Sequence, residues 1–171
     1  LADFRTSQGY QAMVVDIEDV YDEFSGGLYD PRAIRRFLKY AYENWSVPPL
    51  YVLLIGDTTY EMDKWLHKPD IRPSYVPSMM QYTETFGFTS SDNYFVAVAG
   101  EDILPDMYIG RLPVASIENA EHIVQKIIDY ETQGDVQEWR RNICLATGDE
   151  DFFDLCGQHA VENVIPDRYK V

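Results

Sequence analysis

Two aspartates follow apolar segments of the chain, and carboxylates in such positions can bind cations or basic groups. Asp57 follows the apolar run 50–55, and Asp149 follows the apolar run 142–147. In open α/β sheets, ligands bind at the carboxyl ends of the strands. If the two strands are neighbours, both carboxylates could coordinate a cation or position the basic group of a substrate. The competing interpretation is structural, with each aspartate capping the next segment or accepting bonds from loop amides.

Other oxygen-bearing side chains suggest a structural calcium ion. Asp92 and Asn93 come just before an apolar segment, where short polar side chains most often fix a turn. Acidic residues cluster again around 101–106, although their spacing matches no EF-hand. The predicted metal ligands are four aspartates: Asp57, Asp92, Asp102 and Asp106.

Arg111 is a lone basic residue among acidic ones, between Gly110 and a Leu-Pro pair. A planar guanidinium suits bidentate bonds to a carboxylate. We therefore predict a structural ion pair between Arg111 and one of the aspartates; a direct contact with substrate is the alternative.

No catalytic residue is predicted among the cysteines and histidines. Cys144 lies in an apolar run and is expected to be buried, and Cys156 is expected to pack as a small apolar residue. His159 follows Cys156 by three residues, but a thiol and an imidazole on adjacent turns of one helix lack a third group to orient the base. His122 is expected to be solvated, and His67 falls in a long loop. A disulfide between the two cysteines stays possible.

The pattern of apolar residues predicts an α/β fold with a mostly parallel sheet flanked by helices. Residues 30–45 form the clearest predicted helix, because Asp30 suits an N-cap and Pro31 the first helical turn. The run 51–55 has no polar alternation, which is typical of a strand buried on both faces. Further strands are predicted at 11–16, 94–99, 106–109 and 142–147. One helix is predicted to end near residue 7, and two others to begin at 116 and near 151. A loop or short helical turn is expected at 17–27, and a long loop at 58–91.

Composition and charge exclude several classes of protein. The 171 residues are 46% apolar and 14% aromatic, which is typical of one globular domain or a large subdomain. With 29 acidic and 14 basic residues, the formal charge of −15 argues against nucleic acid or an anionic membrane as a partner. No apolar stretch is long enough to insert into a membrane. The chain begins without Met in what resembles the middle of a helix, so we expect a piece of a longer protein.

The order of several short segments resembles peptidase family C25, the gingipain family of cysteine peptidases. The segments that carry the resemblance are Asp3 to Gly9 leading to Val14-Val15, Asp30 to Trp45, Tyr51 to Asp57, Ser91 to Tyr94, Ile109 to Pro113, Lys126 to Glu131, and Trp139 to Asp149. Each segment alone is moderately specific, but their order is hard to obtain by chance.

The resemblance implies a caspase-like or Rossmann-like layered sandwich in a secreted or cell-surface bacterial cysteine endopeptidase. It implies no required cofactor beyond a possible structural calcium ion. In this family the catalytic histidine comes from a Gly-His-Gly segment and the cysteine from the end of a later strand, and this sequence has neither. We therefore expect residues 1–138 to be a non-catalytic N-terminal subdomain and 139–171 to begin the catalytic subdomain. The expected partners are the rest of that subdomain and, through the full-length enzyme, a protein or peptide substrate.

Members specific for arginine or lysine bind the basic side chain with a carboxylate, a role that Asp151 or Asp154 could take here. The alternative is a non-catalytic binding or assembly module of a bacterial surface or secretion-associated protein with the same fold. A flavodoxin-like or receiver domain also fits the alternation of strands and helices, but it explains neither the Gly-Arg-Leu-Pro segment nor the long proline-rich loop.

Overall fold

A computed structural model describes residues 1–59, 74–100, 102–133, 138–149 and 151–171. The chain divides into two compact units, Leu1–Ile128 and Asp129–Val171, and the predicted boundary between residues 138 and 139 falls within the second. The described residues form helices α1 (Ala2–Ser7), α2 (Ile17–Ser25), α3 (Pro31–Asn44), α4 (Asn93–Val96), α5 (Ile117–Thr132) and α6 (Asp151–Asn163), strands β1 (Tyr51–Ile55), β2 (Met79–Thr83), β3 (Gly87–Ser91) and β4 (Tyr108–Leu112), and a 3-10 helix (Glu138–Arg141).

Helix α3 confirms the clearest prediction from the sequence. The Asp30 carboxylate accepts a hydrogen bond of 2.9 Å from the Arg32 amide, and Pro31 occupies the first turn. The buried residues of the helix follow helical spacing and form one stripe that faces the core: Ala33, Ile34, Leu38 and Ala41. Most of the charged residues are exposed on the other side: Arg32, Arg36, Lys39 and Glu43. The helix ends at Asn44, before Trp45 turns to an extended conformation.

Strands β1 and β4 form a parallel pair, in register from Tyr51 opposite Tyr108 to Ile55 opposite Leu112. This pair confirms a mixed α/β fold with parallel strands. The prediction that β1 is buried on both faces is wrong for the chain by itself, because only Leu54 is buried. Tyr51, Leu53 and Ile55 point to the other face and are 64%, 45% and 45% exposed. The sheets in the described residues are two-stranded, so the layered sandwich stays a prediction.

The main core of the first unit lies on the covered face of this strand pair. It brings together residues of α3, β1, α4 and the segments before β2 and β4: Ile34, Leu38, Leu54, Val76, Phe95, Val96, Val98 and Met107. A smaller cluster joins α2 to α3 through Val20, Tyr21 and Ala33.

Several predicted boundaries differ from the structure in this unit. Residues 11–16 are irregular and largely exposed, and α2 occupies much of the segment predicted as a loop or short helical turn. The predicted strand 94–99 is the short helix α4 followed by irregular chain, and the next strand lies at Tyr108–Leu112 instead of 106–109. A short apolar run buried on all sides has no periodicity that separates a helical turn from a strand.

Part of the predicted long loop is an antiparallel hairpin, in which β2 pairs with β3 from Met79 opposite Ser91 to Thr83 opposite Gly87. Gly87 has a φ of +69°, a conformation that other residues rarely adopt. The Thr83 hydroxyl donates to the Gly87 carbonyl at 3.1 Å and closes the turn. Residues 60–73 of this predicted loop, including His67, lie outside the described residues.

In the second unit, the predicted strand 142–147 is reduced to a single parallel bridge between Asn142 and Lys170. The chain then leads into α6, which packs closely on it. A Cβ atom on Gly148 would lie 2.9 Å from the Phe153 ring, and one on Gly157 would lie 3.0 Å from the Thr147 methyl group. In both units, no helix within the described ranges has the length and apolar character needed to cross a membrane.

Candidate functional site at the carboxyl edge of the parallel strands

The carboxyl ends of β1 and β4 are joined by a short backbone ladder to the segment 74–78. The Gly56 amide donates to the Leu112 carbonyl at 3.0 Å, and the Asp57 amide to the Val114 carbonyl at 2.9 Å. The Asp57 carbonyl in turn accepts from the Tyr75 amide at 3.0 Å. A Cβ atom on Gly56 would lie 2.9 Å from side-chain carbons of this segment, and its φ of +148° also favours glycine. The close approach therefore requires the glycine of the Gly-Asp pair.

Arg111 organises this edge through all five of its N–H donors. Its Nε donates to Asp92 Oδ2 at 2.7 Å and its Nη2 to Asp92 Oδ1 at 2.7 Å, which makes the pair bidentate. The remaining donors reach backbone carbonyls of Gly56 at 2.8 Å, Val76 at 2.7 Å and Pro77 at 3.1 Å. The side chains of Arg111 and Asp92 are 12% and 24% exposed, so the pair is shielded from water.

This arrangement gives Arg111 a structural role. One guanidinium fastens the end of β1, the segment 76–77 and the residue before α4, segments that are far apart along the chain. Because its donors are all used within the protein, Arg111 has none left for a substrate in this conformation.

A hydroxyl network lies beside the arginine. Tyr29 donates to Ser74 Oγ at 2.9 Å, and Ser74 Oγ lies 3.4 Å from Thr58 Oγ1. Thr58 Oγ1 accepts from the buried Ser78 amide at 3.2 Å. Sequence reasoning missed this network. Its members lie up to 49 positions apart, and no spacing of hydroxyl residues along a chain predicts that they are in contact.

Each of the four aspartates predicted as metal ligands accepts a hydrogen bond from another group of the protein. Asp57 Oδ1 accepts from the Thr58 amide at 2.9 Å, and Asp102 Oδ1 from the Leu104 amide at 2.9 Å. Asp92 pairs with Arg111, and Asp106 Oδ2 accepts from the amides of residues 98 and 99 at 2.7 Å each. Across the described ranges, no group of three or more Asp, Glu, His or Cys side chains is placed to hold a metal ion. Calcium binding by these residues stays a prediction.

The predicted substrate-binding aspartates lie in the first turn of α6, in the second unit, and both are exposed. Asp154 Oδ1 accepts from the Thr147 hydroxyl at 2.9 Å, which ties the helix start to the preceding segment. Asp149 lies just before this helix, in a different unit from Asp57. Binding of a basic side chain by Asp151 or Asp154 stays a prediction.

The expectation that the cysteines are buried is wrong. Cys144 and Cys156 are free thiols and both are exposed. Among the described residues, the segment around Cys144 pairs only through the bridge between Asn142 and Lys170, so no sheet covers this thiol. His122 is exposed, as expected. His159 Nδ1 lies 3.2 Å from the Asn163 amide nitrogen. Neither thiol makes a hydrogen bond within the part of the chain that the structure describes.

Comparison with known proteins identifies the family. The chain belongs to peptidase family C25, whose model matches residues 1–171, the whole chain. A similar protein is an uncharacterised protein of Archaeoglobus fulgidus, 24% identical over 143 residues. The match covers 76% of this chain and 31% of that relative, so the chain spans less than a third of the length of the curated relative that it matches. No solved structure gives a significant match.

Proposed function

We propose that this chain is the N-terminal, non-catalytic part of a C25-type cysteine endopeptidase. The observation that carries the proposal is the family match along the whole chain. It agrees with the structural role of the ion pair between Arg111 and Asp92 at the carboxyl edge of the strands. The chain would hold the segments around Gly56, Val76 and Asp92 in place through Arg111. Residues outside this chain would supply the catalytic cysteine and histidine.

The chemistry proposed for the whole enzyme is proteolysis by a Cys-His dyad. A thiolate attacks the scissile carbonyl carbon, and the histidine protonates the leaving amine; water then hydrolyses the acyl-enzyme. The exposed thiols Cys144 and Cys156 take no part, because neither is oriented by a base in the described structure.

The exposed face of the parallel strands supports a layered sandwich as the architecture of the complete domain. Parallel strands are normally covered on both faces. One face of β1 and β4 packs on the core, whereas Tyr51, Leu53, Ile55 and Tyr108 form an exposed apolar surface on the other face. We propose that the part of the catalytic subdomain that lies outside this chain covers this surface, named here the open sheet face.

The proposal extends to location and substrate. The enzyme would be secreted or displayed at a cell surface, and it would cleave protein or peptide substrates. Asp151 and Asp154 are the residues of this chain that we propose for binding a basic substrate side chain, since both carboxylates are exposed at the start of α6.

The test compares this chain alone with the full-length protein that contains it, in a peptide-cleavage assay with arginyl, lysyl and neutral substrates. We expect no thiol-dependent cleavage by the chain alone, and cleavage by the full-length protein that an alkylating agent abolishes. A full-length variant in which alanine replaces both Cys144 and Cys156 should remain active. Cleavage by the chain alone would overturn the proposal, and an inactive full-length protein would favour the binding or assembly module.

A further inference from the structure

Three arginines gather around one cavity in the second unit. The 3-10 helix Glu138–Arg141 and the C-terminal segment are tied together by the bridge between Asn142 and Lys170. The Lys170 amide donates to the Arg141 carbonyl at 2.8 Å, and the Ile143 amide donates to the Lys170 carbonyl at 2.7 Å. These bonds hold two basic stretches of the chain side by side.

The cavity between them has a volume of about 350 Å³, and its lining consists of Arg140, Arg141, Arg168 and Tyr169. We call it the arginine pocket. Its size falls in the range of about 300–1,000 Å³ that is usual for small-molecule sites. Three arginines that line one cavity stand out in a chain with a formal charge of −15.

Arg140 is oriented by its surroundings but not fully satisfied. Its Nη2 donates to the Tyr130 carbonyl at 2.7 Å, and its guanidinium lies 4.3 Å from the centre of the Tyr130 ring. Its Nε is buried and has no hydrogen-bond partner. A buried donor without a partner is costly, and Arg140 keeps this unmet N–H beside the pocket.

The other two arginines have no neutralising carboxylate. Arg141 and Arg168 are exposed, and neither forms an ion pair with any side chain that the structure describes. The nearby Glu138 carboxylate is paired with Lys170 instead. The pocket therefore retains three positive charges.

We propose that the arginine pocket binds a dianionic oxyanion, namely a phosphate group. Guanidinium groups match the oxygen geometry of phosphate through parallel N–H bonds. A dianion balances three cations better than a single carboxylate does, and its several oxygens can accept from the forks of Arg141 and Arg168. The site is separate from proteolysis, so its presence or absence does not depend on the proposed enzyme activity.

The test is a titration of the ¹⁵N-labelled chain with inorganic phosphate at constant ionic strength, followed by NMR, with chloride as the control anion. We expect saturable shifts in residues 138–143 and 168–170. The double variant Arg141→Ala, Arg168→Ala should weaken binding by about tenfold or more, since it removes two charge-assisted contacts. Lys39→Ala removes an equally charged side chain in the first unit and should change affinity less than twofold.

Phenyl phosphate distinguishes the source of the group. Tighter binding than inorganic phosphate indicates a phosphate monoester as the ligand, and equal binding indicates free phosphate. Arg168→Lys, which keeps the charge but not the fork, provides a milder variant if the double variant fails to fold, and it should bind several-fold more weakly than the wild type. Shifts that do not saturate, or equal losses in the Lys39 variant, would overturn the proposal.

Discussion

Arg111 shows how a single residue can connect distant parts of this chain. Its five hydrogen bonds join it to Asp92, Gly56, Val76 and Pro77, up to 55 positions away. Surface ion pairs contribute little to stability, because water and salt screen them. This pair is shielded and uses every donor of the guanidinium, so the loss of either partner leaves buried polar atoms unsatisfied.

Replacing Arg111 with alanine should therefore destabilise the chain severely. We expect Arg111→Ala to lower the free energy of unfolding by about 3–5 kcal/mol, because the Asp92 carboxylate and three carbonyls lose their donors. Arg111→Lys should recover only part of this loss, since one ammonium cannot reproduce the planar fork. Urea denaturation of the three proteins gives these differences directly.

The matched control is Lys39→Ala, which breaks an exposed pair with Glu43 in α3. Its expected cost is below about 1 kcal/mol. If Arg111→Ala and Lys39→Ala were equally stable, the structural role assigned to Arg111 would be wrong.

Among the secondary-structure elements, α3 has the most complete N-terminal capping signal. The contribution of its capping residue, Asp30, to stability depends on pH. Burial alone raises the pKa of the Asp30 carboxyl, but the hydrogen bonds and charge of Arg32 and the charge of Arg36 outweigh this effect, so the pKa lies below its usual value. A lowered pKa in the folded state means that the ionised form stabilises the fold. That contribution is complete above the unfolded-state pKa of about 3.9 and is lost as the pH falls through the folded-state pKa.

Two substitutions at Asp30 separate the cap from the charge. Asp30→Ala should lower the free energy of unfolding by about 0.5–2 kcal/mol at pH 7, because the Arg32 amide loses its acceptor. Asp30→Asn keeps a capping oxygen, so its free energy of unfolding at pH 7 should be closer to that of the wild type. Because asparagine does not ionise, the stability of this variant should fall less steeply than that of the wild type as the pH is lowered from 5 to 3. Urea denaturation at both pH values measures this, and identical pH dependence in the two proteins would contradict the assigned cause.

The elements that the sequence predicts well are those with local signals. Asp30, Pro31 and a helical apolar stripe define α3, and the run 51–55 before Gly-Asp defines β1. The segment around Phe95 is apolar without a period, so its helical turn was predicted as a strand. The segment 142–147 has the composition of a strand, but its only pairing in the described residues is the bridge to Lys170.

The same division holds for the candidate site. The type of residue at Arg111 and the surplus of acids around it predict an ion pair, but the choice of Asp92 depends on how the chain folds in three dimensions. The carbonyls of residues 56, 76 and 77 carry no sequence signal at all, because every residue has a carbonyl group. The arginine pocket was missed for a similar reason, since Arg168 approaches Arg140 and Arg141 only through the pairing of the C-terminal segment.

For the molecule as a whole, the open sheet face is the feature that the chain alone leaves unexplained. Tyr51 stacks on Tyr108 with ring centres 5.4 Å apart, and the surface continues along β1 through Leu53 and Ile55. A contiguous exposed apolar surface of this kind often marks a site where another protein or subdomain binds. Its occupant in our proposal is the catalytic subdomain.

Leu53→Thr tests this arrangement, because threonine suits a strand but buries less apolar surface. In the isolated chain, where Leu53 is partly exposed, we expect a change in the free energy of unfolding below about 1 kcal/mol. In the full-length protein, we expect a loss of about 1–3 kcal/mol, because the side chain would be covered there and the hydroxyl would enter an apolar contact. Leu104→Thr, in an exposed turn before β4, should have little effect in either protein. Thermal unfolding of both variants in both proteins decides the matter: if Leu53→Thr is as harmless as Leu104→Thr in the full-length protein, the catalytic subdomain does not cover this face.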